Sequence, residues 1–153
     1  MNRVKRMAPI MELAEIREKE AAQALGQIQQ KLDETLKGLS SLNSFRENYS
    51  ALFYQSGAKG LGIRQLHEYR AFLGKINTAI VEQEKIVHQA QVDLQKRKTA
   101  WKDSHRHTLA MKKIMDKLHA EELRMEQKRE QREQDERASR RGCGAKTLSL
   151  ILL

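Results

Sequence analysis

The sequence has few of the residues that build compact cores, break helices or form cross-links. Its 153 residues include one proline and one cysteine, and aromatic side chains make up 5%. After Pro9 nothing in the chain is a strong helix breaker. Cys143 cannot form an internal disulfide, so a reducing compartment fits best. The apolar fraction is 39% and the charged fraction is 32%, so the chain has few residues with which to build a globular core. Long helices are therefore the expected fold.

Long apolar runs are also lacking. No segment approaches the roughly 18 apolar residues of a membrane span, and the start of the chain does not fit a signal peptide. A cytoplasmic protein is therefore expected. The segment 142–153, GCGAKTLSLILL, departs from the charged pattern before it. We expect this atypical apolar tail to be disordered or foreign to the natural sequence.

No group of residues has the spacing of a catalytic, nucleotide or metal site. GAKGLG has its glycines in the reverse order from a dinucleotide fingerprint, and GCGAKT interrupts a Walker-type ending with alanine. His105 and His107 point to different sides of a helix, and with His119 they are interpreted as solvated. Two helices offer almost no concave interior for catalysis. We expect no enzyme activity, no cofactor and no metal.

The positive charge is unevenly placed. The formal net charge is +9, and between Lys85 and Lys117 nine basic residues stand against three acidic ones. Residues 121–141 hold seven of each sign. A nucleic-acid partner is compatible with this balance. However, the basic run is interleaved with only one aromatic residue, Trp101, and a solvated helix face is the favoured interpretation.

Two apolar stripes with coiled-coil spacing dominate the sequence. The later stripe repeats every seven residues with a complementary step of three, and it comprises Leu66, Tyr69, Leu73, Ile76, Ile80, Gln83, Val87, Ala90, Leu94 and Trp101. The earlier stripe has the same spacing, and it comprises Leu25, Ile28, Leu32, Leu39, Leu42, Tyr49 and Phe53, with Thr35 and Arg46 as weaker members. We call the two stripes together the seam.

Three glycines separate the stripes and predict a reversal of the chain. Gly57, Gly60 and Gly62 supply the backbone freedom that ends one helix and turns back. The predicted fold is all-α: a long two-helix antiparallel coiled coil, with helix one over about 10–55, a turn over 56–62 and helix two over about 63–140. Residues 1–141 form a single rod in this prediction. Residue i faces approximately residue 118 minus i.

Under this pairing, helix two beyond about residue 110 has no partner in the chain. This overhang carries an apolar stripe of Met111, Met115, Leu118 and Met125. An apolar stripe on an unpartnered helix needs another surface to bury it. The overhang is therefore predicted to be a binding element.

The chain resembles the FliJ family of the flagellar type III export apparatus. The resemblance runs from about residue 11 to 141 and is strongest at 42–83, where LNSFRENYSALF precedes the glycine turn and IRQLHEYRAFLGKINTAI follows it. It implies a coiled coil, similar to the central stalk of rotary ATPases, whose terminal end enters the ring of the export ATPase FliI. It also implies binding to the export-gate protein FlhA and to export chaperones.

The resemblance implies a gate-binding surface made of Leu42, Phe45, Tyr49, Phe72, Ile76, Ala79 and Gln83. Gly38 stands where the family favours a larger polar residue, and Gln83 replaces a residue that is often histidine. From the residues alone, Tyr49 and Ile76 fall on seam positions and fit a core role. Phe45 and Phe72 do not fall on seam positions. Because Leu73 already fills the buried position, Phe72 should point outward, and so should Phe45.

The resulting prediction is a non-enzymatic export component. It promotes assembly or activity of the export ATPase, through Met111, Met115, Leu118 and Met125, and links the ATPase and chaperones to the gate at the cytoplasmic face of the inner membrane. Two alternatives remain open. One is a generic coiled-coil tether that dimerises through the overhang, and the other is a nucleic-acid binder that uses the basic face.

Overall fold

The computed structural model describes the backbone of residues 2–151 and the side chains of residues 2–143. Helix α1 spans Arg3–Gly57 and helix α2 spans Ile63–Ile151. The two helices pack against each other, and the described residues contain no strand. The predicted all-α helical hairpin is confirmed. Neither helix, over its described residues, has a stretch long and apolar enough to cross a bilayer.

Helix α1 begins at Arg3 and not near residue 10 as the sequence suggested. Asn2 caps it, since its side-chain Oδ1 accepts a hydrogen bond from the Lys5 N–H at 3.1 Å. Pro9 lies inside the helix. Proline removes one backbone hydrogen bond, here the one toward the carbonyl of Lys5, and the helix continues through this loss. The predicted start of α1 was too late because Pro9 was taken to mark the beginning of the helix.

Helix α2 continues to Ile151, past the end near residue 140 that the charge pattern indicated. Its backbone therefore runs into the apolar tail. The segment rich in Gln, Glu and Arg is compatible with a helix, and so are the residues after it. The change of composition near residue 141 therefore does not mark a helix end. The side chains of residues 144–151 and all of residues 152–153 lie outside the described part, and a foreign origin of the tail stays a prediction.

The turn between the helices depends on one glycine conformation. Gly60 has a φ of +89°, the only positive φ among the described residues, and this region favours glycine because it has no Cβ. The N–H groups of Lys59 and Gly60 bond back to the carbonyls of Ser56 and Gly57, both at 3.1 Å. Gly62 opens α2, with its N–H donating to Gln65 Oε1 at 3.3 Å. Its carbonyl accepts from Leu66.

The chain divides into two compact units, which we describe separately. The turn unit is Ile16–His105, and the terminal unit is Met1–Glu15 with Arg106–Leu153. Each contains a piece of both helices.

The turn unit has the predicted seam and pairing. Ile28, Ile76, Ile80, Val87 and Ala90 are buried, and every other seam residue is half-buried. Gln83 Nε2 donates to the Thr35 carbonyl at 2.9 Å, which matches the predicted pairing of residue i with 118 minus i. Arg97, three residues from its predicted partner position, donates to the Ala24 carbonyl at 3.0 Å.

The terminal unit contradicts the prediction of an unpartnered stripe beyond residue 110. Met111 is only 8% exposed, and Ala14 and Thr108 are also buried. The Thr108 hydroxyl donates to the Ala14 carbonyl at 3.3 Å. Because α1 starts at Arg3, its first turns cover α2 beyond residue 110. Met115 and Leu118 are half-buried, and within the stripe only Met125 stays exposed.

Candidate partner-binding surface

Six of the seven aromatic residues of the chain form one connected cluster in the turn unit. Phe45, Tyr49 and Phe53 follow one another at intervals of four on α1, so helical periodicity places them on one side. Tyr49 lies 4.7 Å from Phe72 between ring centroids. Phe53 stacks on Tyr69 at 3.6 Å. The cluster therefore ties the two helices together beside the turn.

Two members of the cluster face solvent. Phe45 is 50% exposed and Phe72 is 39% exposed, and their rings meet edge to face with centroids 6.1 Å apart. Leu73, the neighbour of Phe72, is half-buried in the seam. The prediction that Phe45 and Phe72 point outward is confirmed, and the two rings form a small apolar platform.

Residues seven apart from these two rings extend the platform along one side of the turn unit. We call this side the apolar flank. It consists of Gly38, Phe45 and Leu52 on α1 and of Phe72, Ala79 and Ile86 on α2. The contact of Phe45 with Phe72 shows that the two rows lie on the same side. Leu52 and Ile86 are exposed. Neither was predicted from the sequence, although their heptad spacing from Phe45 and Phe72 was a usable signal.

On the opposite side of the turn unit, polar side chains connect the two helices. There Arg46 Nη1 donates to Asn77 Oδ1 at 3.3 Å, and the Tyr69 hydroxyl donates to Ser50 Oγ at 3.2 Å. The contrast between the two sides makes the apolar flank the candidate surface for a partner.

The terminal unit has a second candidate surface where α1 begins. A cleft of about 570 Å³ is lined by Asn2, Arg3, Leu118, Glu121, Glu122, Met125, Glu126 and Arg129. Met125 is 69% exposed, and Leu123 beside it is exposed as well. Leu123 was not among the residues selected from the sequence. The cleft combines apolar side chains with charges of both signs.

A family model described as flagellar FliJ protein matches residues 3–146. The chain belongs to the FliJ family. As a member of this family it is a component of the flagellar export apparatus. Comparisons with curated proteins and with solved structures returned no match.

The gate-binding residues that FliJ resemblance implies do not all reach the surface. Leu42, Tyr49, Ala79 and Gln83 are half-buried, whereas Ile76 is buried between the helices. Burial of Ile76 supports its core alternative, because a partner cannot contact it while the helices stay paired. The exposed part of the implied set is therefore Phe45 and Phe72.

The two departures from the FliJ pattern, Gly38 and Gln83, are neighbours across the helix pair. A Cβ built on Gly38 would lie 3.0 Å from Gln83 Nε2, a tight contact that would make the amide shift. The amide of Gln83 uses this space to reach the Thr35 carbonyl. Thus the missing side chain at residue 38 and the amide at residue 83 form one local arrangement.

The histidines differ from the sequence interpretation at one position. His105 is not solvated on a free face, because its Nδ1 lies 2.6 Å from Glu18 Oε1. Its ring also stacks on Trp101, with centroids 5.1 Å apart. Among the described residues no three His, Cys, Asp or Glu side chains are grouped as metal ligands.

Proposed function

We propose that this export component is a non-enzymatic adaptor and stalk that links the export ATPase FliI to the export gate. In this proposal the apolar flank of the turn unit binds the cytoplasmic region of FlhA, and the terminal unit engages the ATPase ring. The protein works at the cytoplasmic face of the inner membrane and escorts export chaperones. The proposal rests on the FliJ family match, and the residues below give it a mechanism.

One observation carries the gate assignment. Phe45 and Phe72 contact each other and are both exposed to solvent on the surface of the helix pair. Exposed aromatic side chains that a rigid surface presents are typical centres of binding energy. The stacked residues beneath them restrict their rotamers, so binding orders few new groups. Ala79, seven residues beyond Phe72, adds only a small side chain to the same side of α2.

A pull-down and titration against the cytoplasmic region of FlhA tests this assignment. We expect Phe45→Ala with Phe72→Ala to weaken binding by roughly a hundredfold, as expected for loss of two hot-spot side chains. Val81→Ala is the matched control, because Val81 is equally exposed at 50% but lies on the outward side of α2. Unchanged affinity of the double variant, with folding intact, would remove the apolar flank from the gate assignment.

The ATPase assignment draws on the exposed end of the methionine stripe. Met125 and Leu123 are exposed and Leu118 is half-buried beside the cleft, whereas Met111 is too buried to take part directly. Flexible thioether side chains suit a surface that meets non-identical subunit states in a ring. Leu123→Gln with Met125→Gln should reduce stimulation of the ATPase. Leu109→Gln, about 24 Å along the helix from residue 125, should leave stimulation unchanged.

Truncation tests the same assignment if the cut respects the terminal unit. A cut after residue 110 would remove the residues that the start of α1 covers, Met111 among them. A cut after residue 120 keeps this packing. We expect the chain ending at residue 120 to stay folded and to bind the gate while losing ATPase stimulation. Full stimulation at matched concentration would leave the adaptor role alone.

The alternatives predict different results. A generic tether that dimerises through its exposed end would show a concentration-dependent mass in solution and no affinity for FliI. A nucleic-acid binder would show affinity that falls steeply with salt, with a slope set by the phosphates contacted. Retained binding to the ATPase ring at high salt favours the export function over both.

A further inference from the structure

The end of the turn unit has an unusual charge distribution. Residues 48–67, which contain the turn and the adjoining helix ends, include no aspartate or glutamate. The cations in this segment are Lys59 in the turn and Arg64 in the first turn of α2. Arg64 is almost fully exposed, and its Nε lies 3.9 Å from the exposed carboxylate of Glu68. We call residues 48–67 the tip.

The tip also exposes large apolar side chains on both helices. Tyr54 is 76% exposed and Ile63 is 77% exposed, and Leu52 faces solvent on the same helix as Tyr54. None of these three belongs to the seam, so packing between the helices does not require them. Apolar exposure of this extent on both helices makes the end of the pair a candidate interaction site.

Four N–H groups of the turn are hydrogen-bonded within the chain. The N–H groups of Ala58, Lys59 and Gly60 donate to carbonyls of α1, and the Gly62 N–H donates to the Gln65 side chain. Placing peptide groups in a less polar environment is costly mainly when their hydrogen bonds are unmade. These four N–H groups can therefore leave bulk water without losing their hydrogen-bond partners.

We propose that the tip is a membrane-contact surface that inserts Tyr54 and Ile63 into the interface of a bilayer rich in anionic lipids. Apolar side chains enter the headgroup boundary, tyrosine suits the interfacial depth, and Lys59 and Arg64 face the negative headgroups. A projecting turn with apolar side chains on both sides fits a deformable flat surface better than a groove in a protein. The contact is peripheral and reversible. It shares Leu52 with the apolar flank, whereas Tyr54 and Ile63, which are varied below, lie outside that flank.

Co-sedimentation of the full chain with vesicles tests the proposal. The vesicles contain equal parts of phosphatidylglycerol and phosphatidylcholine, and pure phosphatidylcholine vesicles serve as the uncharged comparison. We expect binding to the anionic vesicles alone, and we expect Tyr54→Gln with Ile63→Gln to weaken it about tenfold, since affinity scales with inserted apolar area. Val81→Gln, an exposed apolar position outside the tip, should not change it.

A charge-matched pair separates the tip from the general basicity of a chain of net charge +9. Lys59→Gln with Arg64→Gln removes the same charge as Lys96→Gln with Lys102→Gln on exposed positions of α2. The tip pair should weaken vesicle binding several times more than the second pair. Equal effects of the two pairs, together with no effect of the apolar double variant, would overturn the proposal.

A spectroscopic test reports insertion directly. In the Trp101→Phe background, Tyr54→Trp places the only tryptophan at the tip, and helicity by circular dichroism confirms folding. We expect a blue shift of its emission on anionic vesicles and quenching by brominated lipid chains. An unshifted emission with the protein bound to the vesicles would also overturn the proposal. So would tip variants that lose FlhA binding while their vesicle binding is unchanged, because the tip would then be a protein-docking surface.

Discussion

The turn unit and the terminal unit differ in their aromatic and methionine side chains. All seven aromatic residues lie in the turn unit, and all six methionines lie in the terminal unit. Aromatic rings fix a surface in one shape, because they have few rotamers and contact one another in preferred geometries. Methionine has three rotatable bonds and repacks easily. The comparison suggests a fixed recognition surface in one unit and an adaptable one in the other.

The units also differ in the polar contacts that align their helices. In the turn unit Gln83 and Arg97 of α2 donate to backbone carbonyls of α1. The terminal unit has the shorter Thr108 side chain making the same kind of bond to Ala14. Polar residues at seam positions specify register at some cost in stability. Long polar side chains therefore fix the pairing in the unit that carries the aromatic surface.

The largest expected effect separates the core of the turn unit from its surface. Ile80→Ala should lower the free energy of unfolding by about 3 kcal/mol, because Ile80 is buried and the cavity cannot collapse fully. Phe72→Ala should cost less than about 1 kcal/mol, since its ring is partly solvated. Urea titrations followed by circular dichroism measure both. Equal losses would place Phe72 in the core and remove it from the binding surface.

The next effect tests the packing of the terminal unit. Met111→Ala should destabilise this unit by about 2 kcal/mol because Met111 is buried there. Met125→Ala, at an exposed position of the same stripe, is the control and should change little. Amide hydrogen exchange in residues 3–15 reads the loss locally. If protection there stays the same in Met111→Ala, the start of α1 does not cover this residue.

A smaller effect isolates the conformation of the turn. Gly60→Ala should cost about 1 kcal/mol, because Gly60 occupies the left-handed region with a φ of +89°. Gly57→Ala should be neutral or stabilising, since its added Cβ would meet Leu61 at an ordinary 3.6 Å and alanine favours helix.

Replacing Gly57, Gly60 and Gly62 together with alanine should favour one continuous helix and pairing between chains. Light scattering would then report a dimer. A triple variant that remains a monomeric hairpin would show that the seam alone directs the reversal of the chain.

The smallest expected effect concerns Gly38 and Gln83. Gly38→Ala gains helix propensity of about 1 kcal/mol but displaces the Gln83 amide from its bond to Thr35, which is worth about as much. The net change in the free energy of unfolding should be close to zero. In a Gln83→Ala background the same substitution should stabilise by about 1 kcal/mol, and a double-mutant cycle measures this difference. Additive effects would contradict the coupling.

The sequence predicted the parts of the fold that repeat. Every residue that the heptad spacing assigned to the seam is buried or half-buried, because burial between two helices follows that period. The spacing of three and four also reaches Arg97, which is half-buried and was not assigned to the seam. It also indicated that Phe72 points outward beside Leu73. The predicted start of α1 was wrong because the effect of Pro9 depends on packing elsewhere. The burial of Met111 was not predicted for the same reason, since the residues of α1 that cover it were taken to lie outside the helix. The pairing of His105 with Glu18 depends on tertiary contact that no local spacing encodes.

The division of labour between the two units is tested most directly by titrating two variants against two partners. Phe45→Ala with Phe72→Ala alters the turn unit, and Leu123→Gln with Met125→Gln alters the terminal unit. Calorimetric titration of each variant with the FlhA cytoplasmic region and with the FliI ring gives four affinities. We predict that the first variant loses FlhA alone and the second loses FliI alone. Loss of both partners by either folded variant, or of neither, would contradict the assignment of separate partners to the two units.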